Sequence, residues 1–283
     1  MPVPEIDYRL KDRARGLRAG AHRGAHSGSG WIFQDWAPFL AHPDGRRLDL
    51  RRSLVDPLET CWVRRYRQPT RIPVWVVADL SGSMGYRGNI RKLGFLADLV
   101  ESLAYSSYRL GDRFGFVGCA ERPLSALHVP AHRGLAAALT LAARLRDWVP
   151  SGSHARGLAE CAPYLSQHRG LVFLISDFHL PVGTIRLVFE RLHHHDLVPV
   201  VLWDEAEQGR QSSGTGPRRV VDLEGGGERV LWLRGELRRR LESAFEDRRQ
   251  RLQALARARG CQPLFVEGAF SADAFNRYFA WRS

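Results

Sequence analysis

The sequence predicts an α/β fold in which helices cover both faces of a doubly wound, mainly parallel sheet. The first observation is that nearly continuous apolar runs, such as IPVWVVADL from Ile72 and LVFLIS from Leu171, are bounded by turns. Runs of this kind are typical of strands that are buried on both faces. The second observation is that these runs alternate with segments of helical period, and this alternation favours a parallel sheet.

The first half of this domain is predicted to alternate between strand and helix. The strand at Ile72 is followed by a helix, and a second strand, FGFVGCA, begins at Phe114 and is followed by another helix. A third helix is expected from about His154, although Pro163 should kink or shorten it. The apolar positions are Leu93, Leu96, Val100 and Leu103 in the first helix, Leu135, Leu139, Ala142 and Leu145 in the second, and Leu158, Cys161 and Leu165 in the third.

The second half continues the same pattern. A helix from Ile185 to Leu192 leads to the strand LVPVVLW, in which Pro199 cannot donate a ladder hydrogen bond and so predicts an edge or bulged position. The segment RRVVDLEGGGERVLWL predicts a hairpin that turns at residues 225–227. A long helix from about Glu236 to Gly260, a strand PLFV and a closing amphipathic segment ADAFNRYF complete the chain.

The N-terminal part of the chain differs from the rest in composition and in sequence pattern. Residues 1–70 are rich in Arg, Gly and His and contain no long periodic element, whereas the strand and helix patterns occupy residues 71–283. A length of 283 residues suits one large domain with an extension. We therefore expect an irregular or short-stranded extension over 1–70 that packs against a main domain over 71–283.

The basic composition bounds the choice of partners. The chain has a formal net charge of +12 from 42 basic and 30 acidic residues, and only Lys11 and Lys92 are lysines. Such a charge suits an anionic partner. However, the basic residues are interleaved with acidic ones, and no nucleic-acid recognition module accompanies them. Nucleic-acid binding is therefore kept only as an alternative.

The compartment is inferred from the apolar runs and the cysteines. No apolar run is long enough to span a bilayer, and the N-terminus has no apolar signal segment. The 4 cysteines are far apart and none forms a C-x-x-C pair, which fits free thiols in a reducing compartment. We expect a cytoplasmic protein without a membrane span.

Five oxygen-bearing side chains follow the predicted strands and form a candidate metal site. Asp79, Ser81 and Ser83 form a D-x-S-x-S pattern at the end of the first strand. Asp177 ends a later strand, and Ser153 lies in the loop PSGSH. Ligands of open α/β sheets sit at the carboxyl ends of the strands, so three loops are expected to converge there. Oxygen donors favour a hard divalent cation over zinc, most of all Mg²⁺, with Mn²⁺ or Ca²⁺ as alternatives.

The same pattern has a purely structural interpretation. Asp and Ser residues after a strand often accept hydrogen bonds from free N–H groups at the start of a helix. D-x-S-x-S alone does not distinguish the two interpretations. The occurrence of Ser153 and Asp177 at the expected places along the chain favours the metal site.

Three segments resemble the metal-ion-dependent adhesion site of von Willebrand factor A (VWA) domains. They are VWVVADLSGSMG, SGSHARGLAE and LISDF, and they occur in the order that this family has. The segment DGRRLDLRRSLVDPLETCWVRRYRQ, upstream, and the segments VLWDEAE and VVDLEGGG, downstream, resemble the flanking regions of MoxR-associated bacterial proteins, formerly catalogued as a domain of unknown function. The resemblance covers roughly residues 40 to 283 and implies a VWA (Rossmann-like) topology.

The resemblance also implies roles for the site residues. Ser81 and Ser83 would coordinate the ion directly, and Asp79 and Asp177 directly or through water. Ser153 stands where the family usually has Thr, so the hydroxyl is kept but has more rotamer freedom. Two carboxylates roughly neutralise a divalent ion and leave it electrophilic toward an Asp or Glu of a partner protein.

The function implied by the resemblance is a non-enzymatic protein-interaction module. Its implied partners are a MoxR-type AAA+ ATPase and a client protein, in the assembly or maturation of a complex such as methanol dehydrogenase. The alternative from another class is a metal-dependent hydrolase that uses Ser81 or Ser83, although no motif places a base beside them. No Walker A, G-x-G-x-x-G or G-x-S-x-G sequence occurs. The run from His193 to His195 is interpreted as a solvated helix end rather than a zinc site.

Overall fold

The structure, a computed structural model, describes residues 3–10, 19–86, 88–204, 207, 216–221, 228–233 and 235–282. Within these ranges the chain forms ten strands and six α-helices. The strands are β1 (Ala19–Pro38), β2 (Trp62–Thr70), β3 (Pro73–Asp79), β4 (Arg113–Cys119), β5 (Pro123–His132), β6 (Leu171–Ser176), β7 (Asp196–Leu202), β8 (Gly216–Val221), β9 (Glu228–Leu233) and β10 (Leu264–Val266). The helices are α1 (Leu50–Val55), α2 (Lys92–Leu110), α3 (Ala136–Arg146), α4 (Val182–Arg191), α5 (Gly235–Arg257) and α6 (Ala272–Arg282).

The central sheet contains six of these strands, in the order β10-β7-β6-β3-β4-β5. Every neighbouring pair is parallel except β4 and β5. Val76 of β3 pairs with Phe116 of β4 on one side and with Phe173 of β6 on the other. The chain winds from β3 to β5, returns to β6 and then winds the other way. The predicted doubly wound, mainly parallel sheet is confirmed.

The two faces of the sheet pack into separate cores because successive strand residues point to opposite faces. In β3, Val74, Val76 and Ala78 join one core, whereas Trp75 and Val77 join the other. Helices α2, α3 and α6 contribute to the first core, and α4 and α5 contribute to the second. All 7 residues of β3 are buried, which explains its continuous apolar sequence. The predicted helices on both faces are confirmed.

The predicted helical stripes are mostly confirmed. α2 buries Leu96, Val100 and Leu103 and ends at Gly111, whose left-handed backbone (φ +75°) suits a glycine after a helix. In α3 one predicted position is wrong, because Leu139 is exposed. The residues that α3 buries are Ala138, Leu141, Ala142 and Leu145.

The prediction of an α-helix from about His154 is wrong. The segment forms two 3₁₀ turns, Arg156–Glu160 and Ala162–Tyr164. The N–H of Gly157 donates to the carbonyl oxygen of Ala120 (3.0 Å), and a Cβ at Gly157 would lie 2.7 Å from that oxygen. This close approach to the chain after β4 takes a backbone donor away from helical pairing. The apolar residues predicted for this helix are still buried, and they are Leu158, Cys161 and Leu165.

The prediction that Pro199 marks an edge or bulged strand is also wrong. β7 lies between β6 and β10, and it pairs with β6 in continuous register from Asp196 to Val201. β10 has only 3 residues and pairs with β7 from Val200 onward. Pro199 is tolerated in an interior strand because the pairing on the β10 side begins after it.

β5 lacks the sequence pattern of the other strands and is not predicted from it. It forms the antiparallel edge of the sheet, and its pairing with β4 has register shifts between Phe114 and Phe116 and between Val117 and Cys119. Leu127 is its fully buried residue, and most of the others are partly or wholly exposed. An edge strand of this kind carries no continuous apolar run.

The predicted extension contains a two-stranded antiparallel sheet of β1 and β2. β1 is 20 residues long, and shifts of register interrupt its pairing with β2. The guanidinium of Arg52 in α1 lies 4.4 Å from the ring centre of Trp36 and 4.8 Å from that of Trp62. These cation–π contacts join α1 to both strands.

Residues 3–10 pack into the core of the main domain. Ile6 and Tyr8 are buried in the first core. The N–H of Ile6 donates to Ser106 Oγ (2.9 Å), and the hydroxyl of Tyr8 donates to the carboxylate of Asp112 (2.8 Å). Asp112 also accepts a hydrogen bond from the N–H of Ile72 (2.9 Å). One buried carboxylate thus joins the N-terminal segment to the residue that precedes β3.

The last predicted elements are also present. β8 and β9 pair antiparallel, as expected for the hairpin, whereas its turn at residues 225–227 lies outside the described residues. The PLFV strand is β10, and the closing amphipathic segment is α6. Within the described part of the chain, no helix combines the length and apolar character needed to cross a bilayer.

The three histidines after α4 differ in their surroundings. His193 and His194 are exposed, as predicted for a solvated helix end, but His195 is buried and its Nδ1 faces the N–H of Gly170 (3.3 Å). Burial, and then the nearby positive charges of His194 and Arg169, lower the pKa of His195 to about 3. His195 therefore stays neutral in the native state.

Substitution of Tyr8 by Phe is expected to destabilise the protein. The change removes the hydroxyl that donates to Asp112 inside the core, so the free energy of unfolding should fall by about 1–2 kcal/mol. Urea unfolding of Tyr8→Phe measures this loss. The control is Tyr108→Phe at an exposed position of α2, which should leave stability unchanged. Equal stability of the two variants would contradict the role of the N-terminal segment.

His195 is expected to make stability depend on pH. Its pKa returns to about 6.5 in the unfolded chain, so only the unfolded state binds the proton as the pH first falls. The stability that neutral His195 contributes is fully present above pH 6.5 and is lost as the pH falls from 6.5 to the pKa of the folded state, about 3. The free energy of unfolding should fall by roughly 2 kcal/mol between pH 7 and pH 5 from this residue.

The variant His195→Gln tests this pH dependence because Gln keeps an acceptor for the N–H of Gly170. Urea titrations at both pH values should show a smaller difference in this variant than in the wild type. His168→Gln, at an exposed position, serves as the control and should retain the wild-type difference. If His195→Gln loses as much stability between pH 7 and pH 5 as the wild type, groups other than His195 cause the pH dependence.

Candidate functional site

The carboxyl ends of β3 and β6 form the crevice where the winding direction of the sheet reverses. The chain leaves β3 for α2 and β4 on one side, and it leaves β6 for α4 and β7 on the other. Asp79 ends β3, and Asp177 directly follows β6, which is the neighbour of β3 in the sheet. The two carboxylates are thus placed where ligands of open α/β sheets bind.

The loop after β3 is organised by the buried carboxylate of Asp79. Its Oδ1 accepts hydrogen bonds from the N–H of Ser81 (2.9 Å) and from Ser81 Oγ (2.6 Å). Its Oδ2 accepts a hydrogen bond from Ser176 Oγ (2.6 Å) at the end of β6. Ser81 Oγ lies 3.3 Å from Ser83 Oγ, because a 3₁₀ turn begins directly after Ser81. The whole D-x-S-x-S pattern therefore faces one point.

Asp177 joins the same cluster from β6. Its Oδ1 accepts a hydrogen bond from the N–H of His179 (3.1 Å), and its Oδ2 accepts one from Lys92 Nζ (3.1 Å). Ser83 is joined to Asp177 through Lys92, whose Nζ also donates to the carbonyl of Ser83 (3.3 Å), and the Ser83 side chain helps to lower the pKa of Asp177. The carbonyl of Asp177 accepts from the indole N–H of Trp203 (2.8 Å). The structure thus brings together Asp79, Ser81, Ser83 and Asp177.

Ser153 lies beside this cluster rather than within it. Its loop is attached to the first one, because the N–H of Gly82 donates to the carbonyl of Gly152 (3.1 Å). The side chain of Ser153 is exposed, however, and its Oγ and N–H both donate to Glu121 Oε1, at 3.2 and 3.3 Å. These two hydrogen bonds lower the pKa of Glu121. The hydroxyl of Ser153 is thus engaged outside the cluster of the other four residues.

The two buried carboxylates have different proton affinities. Burial, together with the negative charge of Asp177, raises the pKa of Asp79 to about 6. Burial alone would raise the pKa of Asp177 as well. The ammonium of Lys92, followed by the ring and the N–H of His179, instead holds this pKa below its usual value. Asp177 is therefore ionised at neutral pH, whereas Asp79 titrates just below neutral pH.

Lys92 belongs to the candidate site, and the sequence patterns did not reveal it. Its side chain is fully buried, and its Nζ donates to Asp177 Oδ2, Glu207 Oε1 (2.8 Å) and the carbonyl of Ser83 (3.3 Å). Burial alone would lower the pKa of Lys92, but Asp177 and Glu207 outweigh it and the pKa is raised. One feature of the sequence could have pointed to Lys92: it is one of only two lysines in an arginine-rich chain, and it lies at the start of α2.

Two further polar contacts bring the segment after β7 to the site. Glu207 is bonded to Lys92, and Asp204 Oδ2 accepts a hydrogen bond from the N–H of Ile90 (2.6 Å) before α2. Ser176, which holds Asp79, also accepts from the N–H of Phe178 (2.9 Å). None of these partners follows from local sequence, because each contact joins elements that are distant along the chain.

The donors present in the cluster fit a hard divalent cation. Both carboxylates and both hydroxyls are oxygen donors, which Mg²⁺, Mn²⁺ and Ca²⁺ prefer. The hydroxyls of Ser81 and Ser83 lie 3.3 Å apart, Ser81 donates to Asp79, and Lys92 bridges Ser83 and Asp177, so all four residues lie around a common volume. Lys92 already supplies one positive charge at its edge.

Fold and site together define an α/β protein with paired carboxylates and hydroxyls at the switch point of a doubly wound sheet. The family model described as "Protein of unknown function DUF58" matches residues 44–251, and the chain belongs to this family. No curated protein matches the sequence.

Several solved structures are similar to the chain at low sequence identity. BatB from Bacteroides thetaiotaomicron has a TM-score of 0.45 and 15% identity, covering 75% of this chain and 98% of its own. An aerotolerance-related membrane protein from Bacteroides fragilis NCTC 9343 has a TM-score of 0.44 and 13% identity, with coverage of 75% and 98%. The SpRpn10 VWA domain has a TM-score of 0.42 and 10% identity, with coverage of 74% and 95%.

Proposed function

We propose that the protein is a non-enzymatic VWA-like module that binds a divalent cation, most of all Mg²⁺, and uses it to bind another protein. The observation that carries the proposal is the convergence of Asp79, Ser81, Ser83 and Asp177 at the switch point of the sheet. These four residues would hold the ion. Ser153 would join them on reorientation of its side chain away from Glu121.

The residues of the cluster have separate tasks in this proposal. Ser176 fixes Asp79 through Oδ2, and the N–H of His179 fixes Asp177 through Oδ1. Preorganised carboxylates lose little conformational freedom on binding an ion. The ion would supply an electrophilic position for one further anionic oxygen, which an Asp or Glu of the partner protein provides.

Adhesion is favoured over hydrolysis by the surroundings of the two serines. A serine nucleophile needs an adjacent general base, usually a histidine. In the described part of the chain, no hydrogen bond joins a histidine to Ser81 or Ser83, and Nδ1 of the nearby His179 faces Arg248 (3.2 Å). This arrangement supports a binding role for the hydroxyls.

The partners proposed here follow from the sequence resemblance to MoxR-associated proteins. On that basis the module acts with a MoxR-type AAA+ ATPase in assembling or maturing another protein complex, such as a metalloenzyme. The client carries an exposed Asp or Glu that reaches the ion. We propose that this takes place in the cytoplasm.

Ion binding is expected to depend on the cluster residues. Asp79→Asn preserves the shape of the side chain but removes its charge, so the affinity for Mg²⁺ or Mn²⁺ should fall at least about tenfold. Isothermal titration calorimetry measures the affinity. Asp98→Asn on the exposed side of α2 is the matched control, since it makes the same charge change away from the site. Equal affinities of the two variants would contradict the metal site.

Partner capture is expected to require the ion. The wild-type chain should retain a MoxR-type ATPase or client from a lysate of the native cell in the presence of Mg²⁺, and EDTA or Asp79→Asn should abolish this retention. Capture that resists both would contradict metal-dependent adhesion. Retention of nucleic acid that is sensitive to salt but not to EDTA would support the nucleic-acid alternative instead.

A hydrolase would behave differently in the same experiment. Asp79→Asn would then retain the partner and lose turnover of it. Mass spectrometry of the captured partner before and after incubation distinguishes cleavage from simple binding.

A further inference from the structure

Lys92 combines two features that are unfavourable for an ammonium group. Its side chain is 0% exposed, and Lys92 is the first residue of α2. Burial of a cation without partners is strongly unfavourable because the charge loses its hydration. The N-terminus of a helix also carries partial positive charge and favours anions over cations. The ammonium is therefore held against both effects by the acceptors around it.

Those acceptors belong to the candidate site and to one neighbouring carboxylate. Asp177 Oδ2 lies 3.1 Å from Nζ, and Glu207 Oε1 lies 2.8 Å from it. The carbonyl of Ser83, a candidate ligand residue, is a third acceptor at 3.3 Å. The ring of Tyr86 lies 5.7 Å away, within the range of a cation–π contact. Lys92 thus occupies the positive position of a cluster of negative groups.

We propose that Lys92 is an internal counter-ion that competes with the divalent cation for Asp177 and thereby limits the affinity of the site. This proposal rests on the proposed function, since it concerns the same ion. A carboxylate oxygen that accepts a hydrogen bond from an ammonium group at 3.1 Å is a weaker donor to a metal ion, and two cations sharing one carboxylate repel each other.

Glu207 provides the alternative partner that this competition needs. When the ion takes Asp177, the ammonium of Lys92 keeps its hydrogen bond to Glu207 and is not left unpaired in the core. The positive charge then remains beside the ion. Asp79, Asp177, Glu207, Lys92 and the divalent ion then sum to zero net charge, so no excess negative charge repels the carboxylate of a partner.

The first experiment compares ion affinities by isothermal titration calorimetry with Mg²⁺ and Mn²⁺. Lys92→Met keeps an unbranched side chain of nearly the same length and removes the charge, so it should bind the ion at least about tenfold more tightly than the wild type. The matched control is Arg91→Met, at the preceding, exposed position, which removes the same charge from the protein but should leave the affinity unchanged.

A second measurement observes the ammonium of Lys92 directly in the wild-type chain. The sequence has only two lysines, so lysine labelled with ¹⁵N at Nζ gives two resonances. Lys92→Arg assigns them by removing one. Addition of Mg²⁺ should shift the Lys92 resonance as the ammonium leaves Asp177, and Asp79→Asn should abolish the shift.

The outcomes separate this proposal from the proposed function. If the wild type binds the ion but Lys92→Met binds it equally or more weakly, or the Lys92 resonance does not move, the competition is refuted and the metal site stands. If neither the wild type nor Lys92→Met binds any ion, both proposals are overturned. Ion binding by Lys92→Met alone supports both, with Lys92 as the group that suppresses binding in the wild type.

Discussion

Two carboxylates buried side by side constrain everything around the ends of β3 and β6. A buried carboxylate is stable only when it is hydrogen-bonded or paired. Asp79 meets this requirement through Ser81 and Ser176, whereas Asp177 meets it through the N–H of His179 and the ammonium of Lys92. The partners come from the loop after β3, from β6 and from α2, so the same interactions that satisfy the carboxylates also hold these elements together.

Much of the fold and half of this network could be predicted from the sequence. The continuous apolar runs identify β3, β4, β6 and β7 because strands buried on both faces tolerate few polar residues. The position of Asp79 and Asp177 directly after such runs places both at one edge of the sheet. The elements that escaped prediction are those in which tertiary contacts override local pattern, namely the half-exposed edge strand β5 and the 3₁₀ turns at Arg156–Glu160.

The other half of the network depends on contacts between distant residues, which local patterns do not contain. Lys92 is 85 residues from Asp177 and 115 from Glu207 in the sequence, and Ser176 is 97 residues from Asp79. Composition shows that Lys92 is one of two lysines, but it does not explain why this position has lysine rather than arginine. The reason is geometric: a flexible side chain with a compact charge reaches three acceptors from the first turn of α2.

Under the proposed function, the counter-ion also explains how a site with two buried carboxylates can be stable before an ion arrives. A ligand that binds only the folded state adds stability according to its affinity, and a site made of uncompensated like charges would depend on that addition to fold. Lys92 removes this dependence by pairing with Asp177 in advance. The cost is a weaker attraction for the ion, and weaker binding makes the ion exchangeable. Exchange suits a module that must release its partner as well as bind it, since each partner carboxylate would be held through the ion.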